Sequence, residues 1–129
     1  MTSRKTILYA EDTDYVRKIF TRCLSGNFPD NPLEIFQDGS SLERRLGGDL
    51  GNVGLVITDN EMPGRTGSQI IREYARREEF RRIPFVLLYA GDPLIGEVAV
   101  KNGAFAYAEK LSGMDNIITT IKRALGHTG

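Results

Sequence analysis

Carboxylates end two of the short apolar runs in this chain, and together they could hold a metal ion. Glu11 and Asp12 follow the run TILYA (6–10), and Asp59 follows the run VGLVIT (53–58). Two unit charges about 4 Å apart repel by roughly 4 kcal/mol at an effective dielectric near 20, so three converging carboxylates would cost on the order of 10 kcal/mol. Either one carboxyl group stays protonated or a cation neutralises the cluster. All-oxygen ligands favour a hard divalent ion, and Mg2+ is the ion we expect.

A lysine at the end of a further apolar run would complete a phosphoryl-acceptor site. Lys110 follows AYAE (106–109) and adds a fixed positive charge. In such a site Asp59 would attack in line, while the metal ion and the ammonium group stabilise charge on the transferred oxygens. Taken one at a time, these residues are more typical of solvated loops at strand ends than of such a site. Their joint placement at three strand ends favours the site.

Five short apolar runs alternate with amphipathic stretches, and these are the elements that must position the site. The first stretch carries its apolar residues at helical spacing and predicts one buried face formed by Val16, Ile19, Phe20, Cys23 and Leu24. The runs lack polar alternation, which predicts a parallel sheet covered by helices on both sides. In such sheets ligands bind beyond the carboxyl ends of the strands, where the acidic residues fall. The runs are TILYA, LEIF (33–36), VGLVIT, PFVLLYA (84–90) and AYAE.

Capping residues predict where several helices begin and end. Serine opens and glycine closes the stretch SSLERRLGG (40–48), and SQIIREYARREEF (68–80) reads as one helix. Pro93 suits a first helical turn and Gly103 a stop. Ser112 and Asp115 resemble a capping pair for the last helix.

Composition bounds the remaining possibilities. The 129 residues predict a single domain spanning 1–129, and 17 basic against 17 acidic residues give no general attraction to nucleic acid or to a membrane. Cys23 is the one cysteine and cannot form an internal disulfide, and no apolar run approaches the roughly 20 residues that span a bilayer. We therefore expect a cytoplasmic protein that binds no nucleic acid directly. His127, in a tail expected to fray, is not expected to be a ligand.

Two other phosphate-related functions fit less well. The loop after the first run is acidic where a nucleotide-binding loop needs glycines and free backbone N–H groups. A phosphatase of the haloacid-dehalogenase type would need a second aspartate two residues after Asp59, and Glu61 stands there.

At these residues the sequence resembles a response-regulator receiver domain over nearly the whole chain. The matching parts are Glu11-Asp12, DNEMPGRTG (59–67), Ala90-Gly91, Tyr107 and Lys110. The resemblance implies an α/β, flavodoxin-like fold with a five-stranded parallel sheet in the order 2-1-3-4-5 and five helices. It also implies a regulatory phosphoacceptor rather than an enzyme in the usual sense.

The resemblance further implies a role for each site residue. Asp59 would accept a phosphoryl group from a histidine kinase or phosphotransfer protein, and Lys110 would pair with that group. Asp12 and Asp59 would bind Mg2+ directly, Glu11 through water and Glu61 through its backbone carbonyl. Signalling would use the face of helix four, strand five and helix five, with a homodimer as one possibility and the output partner unknown.

Two residues depart from the family pattern. Tyr89 stands where the family places Ser or Thr at the end of strand four, beside Ala90, so the hydroxyl that bonds a phosphoryl oxygen is displaced. We expect Tyr89 either to point over the following loop or to fill the space used by the family's inward-turned aromatic, here Tyr107. Leu111 replaces the proline after the lysine, and since a cis bond before leucine would cost roughly 2.5–4 kcal/mol, we expect a trans peptide. Two functions stay open: a phosphorylated receiver with an altered switch, or a pseudo-receiver that binds partners independently of phosphorylation.

Overall fold

The computed structural model describes residues 5–126, in which strands and helices alternate along the chain. His127 lies outside the described residues. A short 3-10 turn at Glu78–Phe80 precedes β4. The elements are β1 Thr6–Ala10, α1 Asp14–Asn27, β2 Leu33–Phe36, α2 Gly39–Leu46, β3 Val53–Asp59, α3 Gly67–Tyr74, β4 Phe85–Tyr89, α4 Leu94–Lys101, β5 Ala106–Glu109 and α5 Met114–Gly126.

The strands form one parallel sheet in the order β2-β1-β3-β4-β5, which confirms the predicted flavodoxin-like fold. β1 pairs with β3 so that Ala10 faces Thr58, and β3 pairs with β4 so that Asp59 faces Leu88. β4 pairs with β5 so that Tyr89 faces Glu109. Because all pairs are parallel, the residues that follow β1, β3 and β5 meet at one edge of the sheet.

Each face of the sheet is buried under helices, which explains why the strands lack polar alternation. Every residue of β1, β3 and β4 is buried. Leu8 and its neighbours pack against α2 and α3 on one face, and Ile7 and Tyr9 pack against α1 and α5 on the other. This two-sided burial removes most apolar strand surface from water and makes the central strands a rigid support.

Several details of the helices differ from the predictions. Ile19 is 45% exposed, so its predicted place in the buried face of α1 was wrong. Asp38, not a serine, caps α2 by accepting a hydrogen bond from the Ser41 backbone N–H at 2.7 Å. The predicted capping pair of α5 does not form, because α5 begins at Met114 and Ser112 lies one residue before the N-cap position, where its Oγ accepts a hydrogen bond from Asn116 Nδ2 at 2.9 Å.

The third helix is also shorter than predicted, since α3 ends at Tyr74 rather than continuing to Phe80. A continuous helix would separate these two residues by about 9 Å along its axis. Instead the chain turns, and the Phe80 ring packs edge-on against the Tyr74 ring with 5.8 Å between ring centroids. It also packs at a tilt against the Phe85 ring, with 5.7 Å between centroids. Burial of Phe80 in the core therefore ends the helix. Within residues 5–126, no helix is long and apolar enough to cross a membrane.

Candidate functional site

The acidic residues predicted from the sequence do converge at the carboxyl edge of the sheet. Glu11, Asp12 and Asp59 each offer a carboxylate oxygen, and these oxygens lie within 4.8 Å of one another. Lys110 Nζ lies 2.7 Å from Glu11 Oε1 and 2.8 Å from Asp59 Oδ1. A cleft of about 200 Å³ opens above them, lined by Asp12, Thr13, Asp59, Asn60, Glu61, Ala90 and Lys110.

Burial and charge make this cluster suitable for a hard cation. Glu11 is fully buried and Asp59 is 5% exposed, whereas Asp12 is open to solvent. Lys110 supplies one positive charge against three carboxylates, so a net negative charge remains at the cleft. A divalent ion bound by carboxylate oxygens would neutralise it, and an all-oxygen donor set fits Mg2+.

The pKa values of the buried pair follow from the same arrangement. Burial raises the pKa of Asp59 to about 6, the hydrogen bond from Lys110 opposes that rise, and the charge of Glu11 adds to it. Burial by itself lowers the pKa of Lys110, but its hydrogen bonds to Asp59 and Glu11 outweigh burial and leave the pKa raised. Lys110 is therefore a fixed cation.

Backbone contacts hold Lys110 and Glu11 in place. The Lys110 backbone N–H donates to the Tyr89 carbonyl at 2.8 Å, which joins the end of β5 to the end of β4. Glu11 uses both carboxylate oxygens, since Oε2 accepts from the Thr13 backbone N–H at 3.2 Å while Oε1 accepts from Lys110.

As expected, no peptide bond among residues 5–126 is cis, including the one before Leu111, and the Leu111 side chain is 88% exposed.

The loop after Asp59 is shaped by close contacts. Gly67 lies directly against the Asp59 carbonyl oxygen, so a Cβ at this position would overlap it. Asn60 fixes the start of α3, because its Oδ1 accepts hydrogen bonds from the Ser68 backbone N–H at 3.0 Å and from Ser68 Oγ at 2.5 Å. Thr66 and Gln69 form a capping box. The T-x-x-Q pattern was the available signal for that cap.

Comparisons with known proteins agree on the fold. No family model matches the chain. A solved response regulator receiver domain protein from Clostridium thermocellum superposes with a TM-score of 0.82 at 23% identity, covering 95% of this chain and 94% of that one. The chemotaxis response regulator CheY4 of Vibrio cholerae gives a TM-score of 0.79 at 17% identity, covering 94% and 98%. The chain has the fold of response-regulator receiver domains.

A curated protein is also similar to this chain in sequence. The DNA-binding transcriptional regulator NtrC of Escherichia coli K12 is 24% identical over 125 residues, which is 96% of this chain. The chain spans about a quarter of the length of that relative, whose match covers 25% of its residues. The resemblance predicted from the sequence is thereby confirmed at the level of the fold.

The Tyr89 side chain is buried beside Tyr107. It is 4% exposed and belongs to the core cluster on the α3–α4 side, with its ring centroid 5.8 Å from that of Tyr107. Tyr107 is half-buried and lies directly against Gly96 of α4, where a Cβ would overlap its ring. Tyr89 is not among the residues lining the cleft, so β4 places no side-chain hydroxyl there.

The structure also separates buried from exposed residues on the face of α4, β5 and α5. Leu94 is 57% exposed and Val98 is 43% exposed, whereas Ala99 and Ile117 are buried in the core. Ile95 is partly buried against the same core. The free apolar surface of this face therefore comes from the outer side of α4.

Proposed function

We propose that this chain is a receiver domain, spanning 1–129, that accepts a phosphoryl group on Asp59. The observation that carries the proposal is the bridge made by Lys110, whose ammonium lies within 2.8 Å of both Asp59 and the fully buried Glu11. A buried carboxylate held beside a fixed cation, with a second carboxylate at Asp12 open to the cleft, suits a nucleophile for phosphoryl transfer. The receiver fold supports the same function.

In the proposed reaction, an Asp59 carboxylate oxygen attacks phosphorus in line and forms a P–O bond. The P–N bond of a phosphohistidine donor breaks, and its electron pair stays on the leaving histidine nitrogen. Lys110 is placed to donate a hydrogen bond to one transferred oxygen, because it already bonds the nucleophile. Mg2+, when bound by Asp12, Asp59 and the Glu61 backbone carbonyl, would neutralise charge on the transferred oxygens.

The donor and the output follow the same proposal. A histidine kinase or phosphotransfer protein in the cytoplasm would supply the phosphoryl group, and the exposed outer side of α4 together with β5 and α5 would transmit the state to an output partner or a second copy. The domain would act as a regulatory phosphoacceptor and bind neither nucleic acid nor membrane itself. Where the domain belongs to a longer protein, the other parts of that protein would carry its further activities.

Incubation with Mg2+ and a small phosphodonor, followed by intact-protein mass spectrometry, tests the proposal. We expect the mass of one phosphoryl group to be added in the wild-type protein and none in Asp59→Asn. Equal labelling of Asp59→Asn, or no labelling of the wild type at saturating donor and Mg2+, would contradict it.

A pseudo-receiver that binds partners without phosphorylation is the second candidate, and the placement of Tyr89 favours it. The buried ring leaves the β4 side of the cleft without a hydroxyl and packs beside Tyr107. Metal titration and phosphodonor labelling separate the two candidates, since a pseudo-receiver would take up no phosphoryl group.

A further inference from the structure

The side-chain donors around the cleft are distributed unusually. Tyr89 is buried in the core, so the end of β4 supplies only the small residue Ala90 to the cleft wall. Among the lining residues within 5–126, the one that carries a hydroxyl is Thr13, on the opposite, β1 side. A residue that carries a hydroxyl thus lines the cleft, but on a different element from the one that the family pattern implies.

Polar contacts fix Thr13 close to the proposed nucleophile. Its backbone N–H donates to one carboxylate oxygen of Glu11 at 3.2 Å. The other oxygen of Glu11 accepts from Lys110 Nζ at 2.7 Å, and the same ammonium lies 2.8 Å from Asp59 Oδ1. One carboxylate and one ammonium therefore connect Thr13 to Asp59, and the position of Thr13 is coupled to that of the reacting atoms.

The hydroxyl of Thr13 has no structural task that would occupy it. Thr13 is the N-cap residue of α1, a position where a threonine side chain usually accepts a hydrogen bond from the first helical turn. Here no such bond forms, although Asp38 and Thr66 make theirs at α2 and α3. Within residues 5–126 the Thr13 hydroxyl has no hydrogen-bond partner, so it is free to donate to a molecule in the cleft.

We propose that the Thr13 hydroxyl donates a hydrogen bond to an oxygen of the phosphoryl group as it is transferred to Asp59. This inference rests on the proposed function and identifies a further residue that touches the substrate. The transferred group spreads its charge over three oxygens, and stabilisation improves when each has a donor or a cation. Lys110 would serve one of them and a bound metal ion a second, and Thr13 would serve the third in place of a hydroxyl on β4.

The test compares Thr13→Val, which removes the hydroxyl and keeps the shape, with Thr13→Ser, which keeps the hydroxyl. Thr119→Val, at an exposed position on α5, is the matched control. Rates of labelling by a small phosphodonor are measured at saturating Mg2+. A hydrogen bond to a charged group predicts a rate about 10- to 100-fold lower in Thr13→Val, restored in Thr13→Ser and unchanged in Thr119→Val. The thermal midpoint and the Mg2+ affinity of Thr13→Val should match those of the wild type.

A second measurement uses the wild-type protein and does not depend on any variant folding. Beryllofluoride, a phosphoryl mimic, is added with Mg2+, and a proton–fluorine NMR contact is sought between the bound mimic and the Thr13 side chain. We expect that contact, together with weaker beryllofluoride binding by Thr13→Val.

Each result decides between the two proposals. Labelling of Thr13→Val at the wild-type rate, or a bound mimic without contact to Thr13, would overturn this inference and leave the proposed function intact. Failure of the wild type to accept a phosphoryl group would overturn both.

Discussion

We predict that removing one buried oxygen, the hydroxyl of Tyr9, will stabilise the fold. The Tyr9 side chain is fully buried in the sheet face that packs against α1 and α5, with its ring 6.2 Å from that of Phe20. Within residues 5–126, its hydroxyl has no hydrogen-bond partner. Burial raises the pKa of Tyr9, so the hydroxyl stays neutral. Tyr9→Phe keeps the ring and removes only this oxygen.

The magnitude follows from the cost of leaving a buried donor unsatisfied, which is about 1–3 kcal/mol. The free energy of unfolding of Tyr9→Phe should rise by that amount, since the phenyl ring retains the packing against Phe20. For a domain of this size each kcal/mol corresponds to roughly 3–6 °C in the thermal midpoint. Urea unfolding followed by circular dichroism measures the change, and the slope with urea should stay constant.

Tyr74→Phe is the matched control, because the Tyr74 hydroxyl donates to Glu43 Oε2 at 2.7 Å. Its removal should lower the free energy of unfolding by about 0.5–1.5 kcal/mol, a change opposite in sign. Tyr15 is 69% exposed, and Tyr15→Phe should change little. Destabilisation of Tyr9→Phe would refute the reasoning, because it would mean that the hydroxyl has a partner, such as a buried water.

Three further perturbations test the site and its supporting loop. Lys110→Met leaves two buried carboxylates without their cation, so the free energy of unfolding measured with urea in the absence of metal should fall by about 3–5 kcal/mol. Mg2+ should restore part of this loss, and a loss below about 1 kcal/mol would contradict the pairing of Lys110 with the two carboxylates. Mg2+ at about 100 times its dissociation constant for the wild type should stabilise the wild type by about 2.7 kcal/mol in thermal unfolding. The same Mg2+ concentration should stabilise Asp12→Ala by much less, and equal stabilisation of both proteins would exclude Asp12 as a ligand. Gly67→Ala should lower the free energy of unfolding by about 1–3 kcal/mol, because the added Cβ overlaps the carbonyl oxygen of Asp59. Gly26→Ala, in open space on α1, should raise it by about 0.5–1 kcal/mol. If urea unfolding found Gly67→Ala more stable than Gly26→Ala, the loop after Asp59 would not be tightly packed.

The sheet and the acidic cluster were predictable from the sequence because both rest on simple patterns. Uniformly apolar runs indicate strands buried on both faces, and β1, β3 and β4 are buried throughout. Once the strands are parallel, residues that follow them must meet at one edge. Glu11, Asp59 and Lys110 therefore converge as expected.

The caps and the loop residues were less predictable because tertiary contacts select them. Both Asp38 and the serines after it are good capping residues, and the sequence offers no rule for choosing between them. Gly39 lies directly against the Arg65 carbonyl oxygen, which fixes where α2 begins and leaves Asp38 as the cap. Ile19 has the right spacing for the buried face of α1, but that face is narrower than the apolar pattern. Thr13 is the N-cap of α1 but makes no side-chain cap hydrogen bond, which the residue type and spacing alone do not reveal.

The contact between Tyr107 and Gly96 has an evolutionary consequence. Because the tyrosine ring occupies the volume that any side chain at position 96 would need, position 96 cannot gain a side chain unless the residue at 107 becomes smaller or its ring moves. A lineage that gains alanine at 96 must first accept a smaller or reoriented residue at 107, and the neighbouring ring of Tyr89 would then lose its packing partner. Among descendants of this sequence, a residue larger than glycine at 96 should therefore occur together with a smaller or reoriented residue at 107.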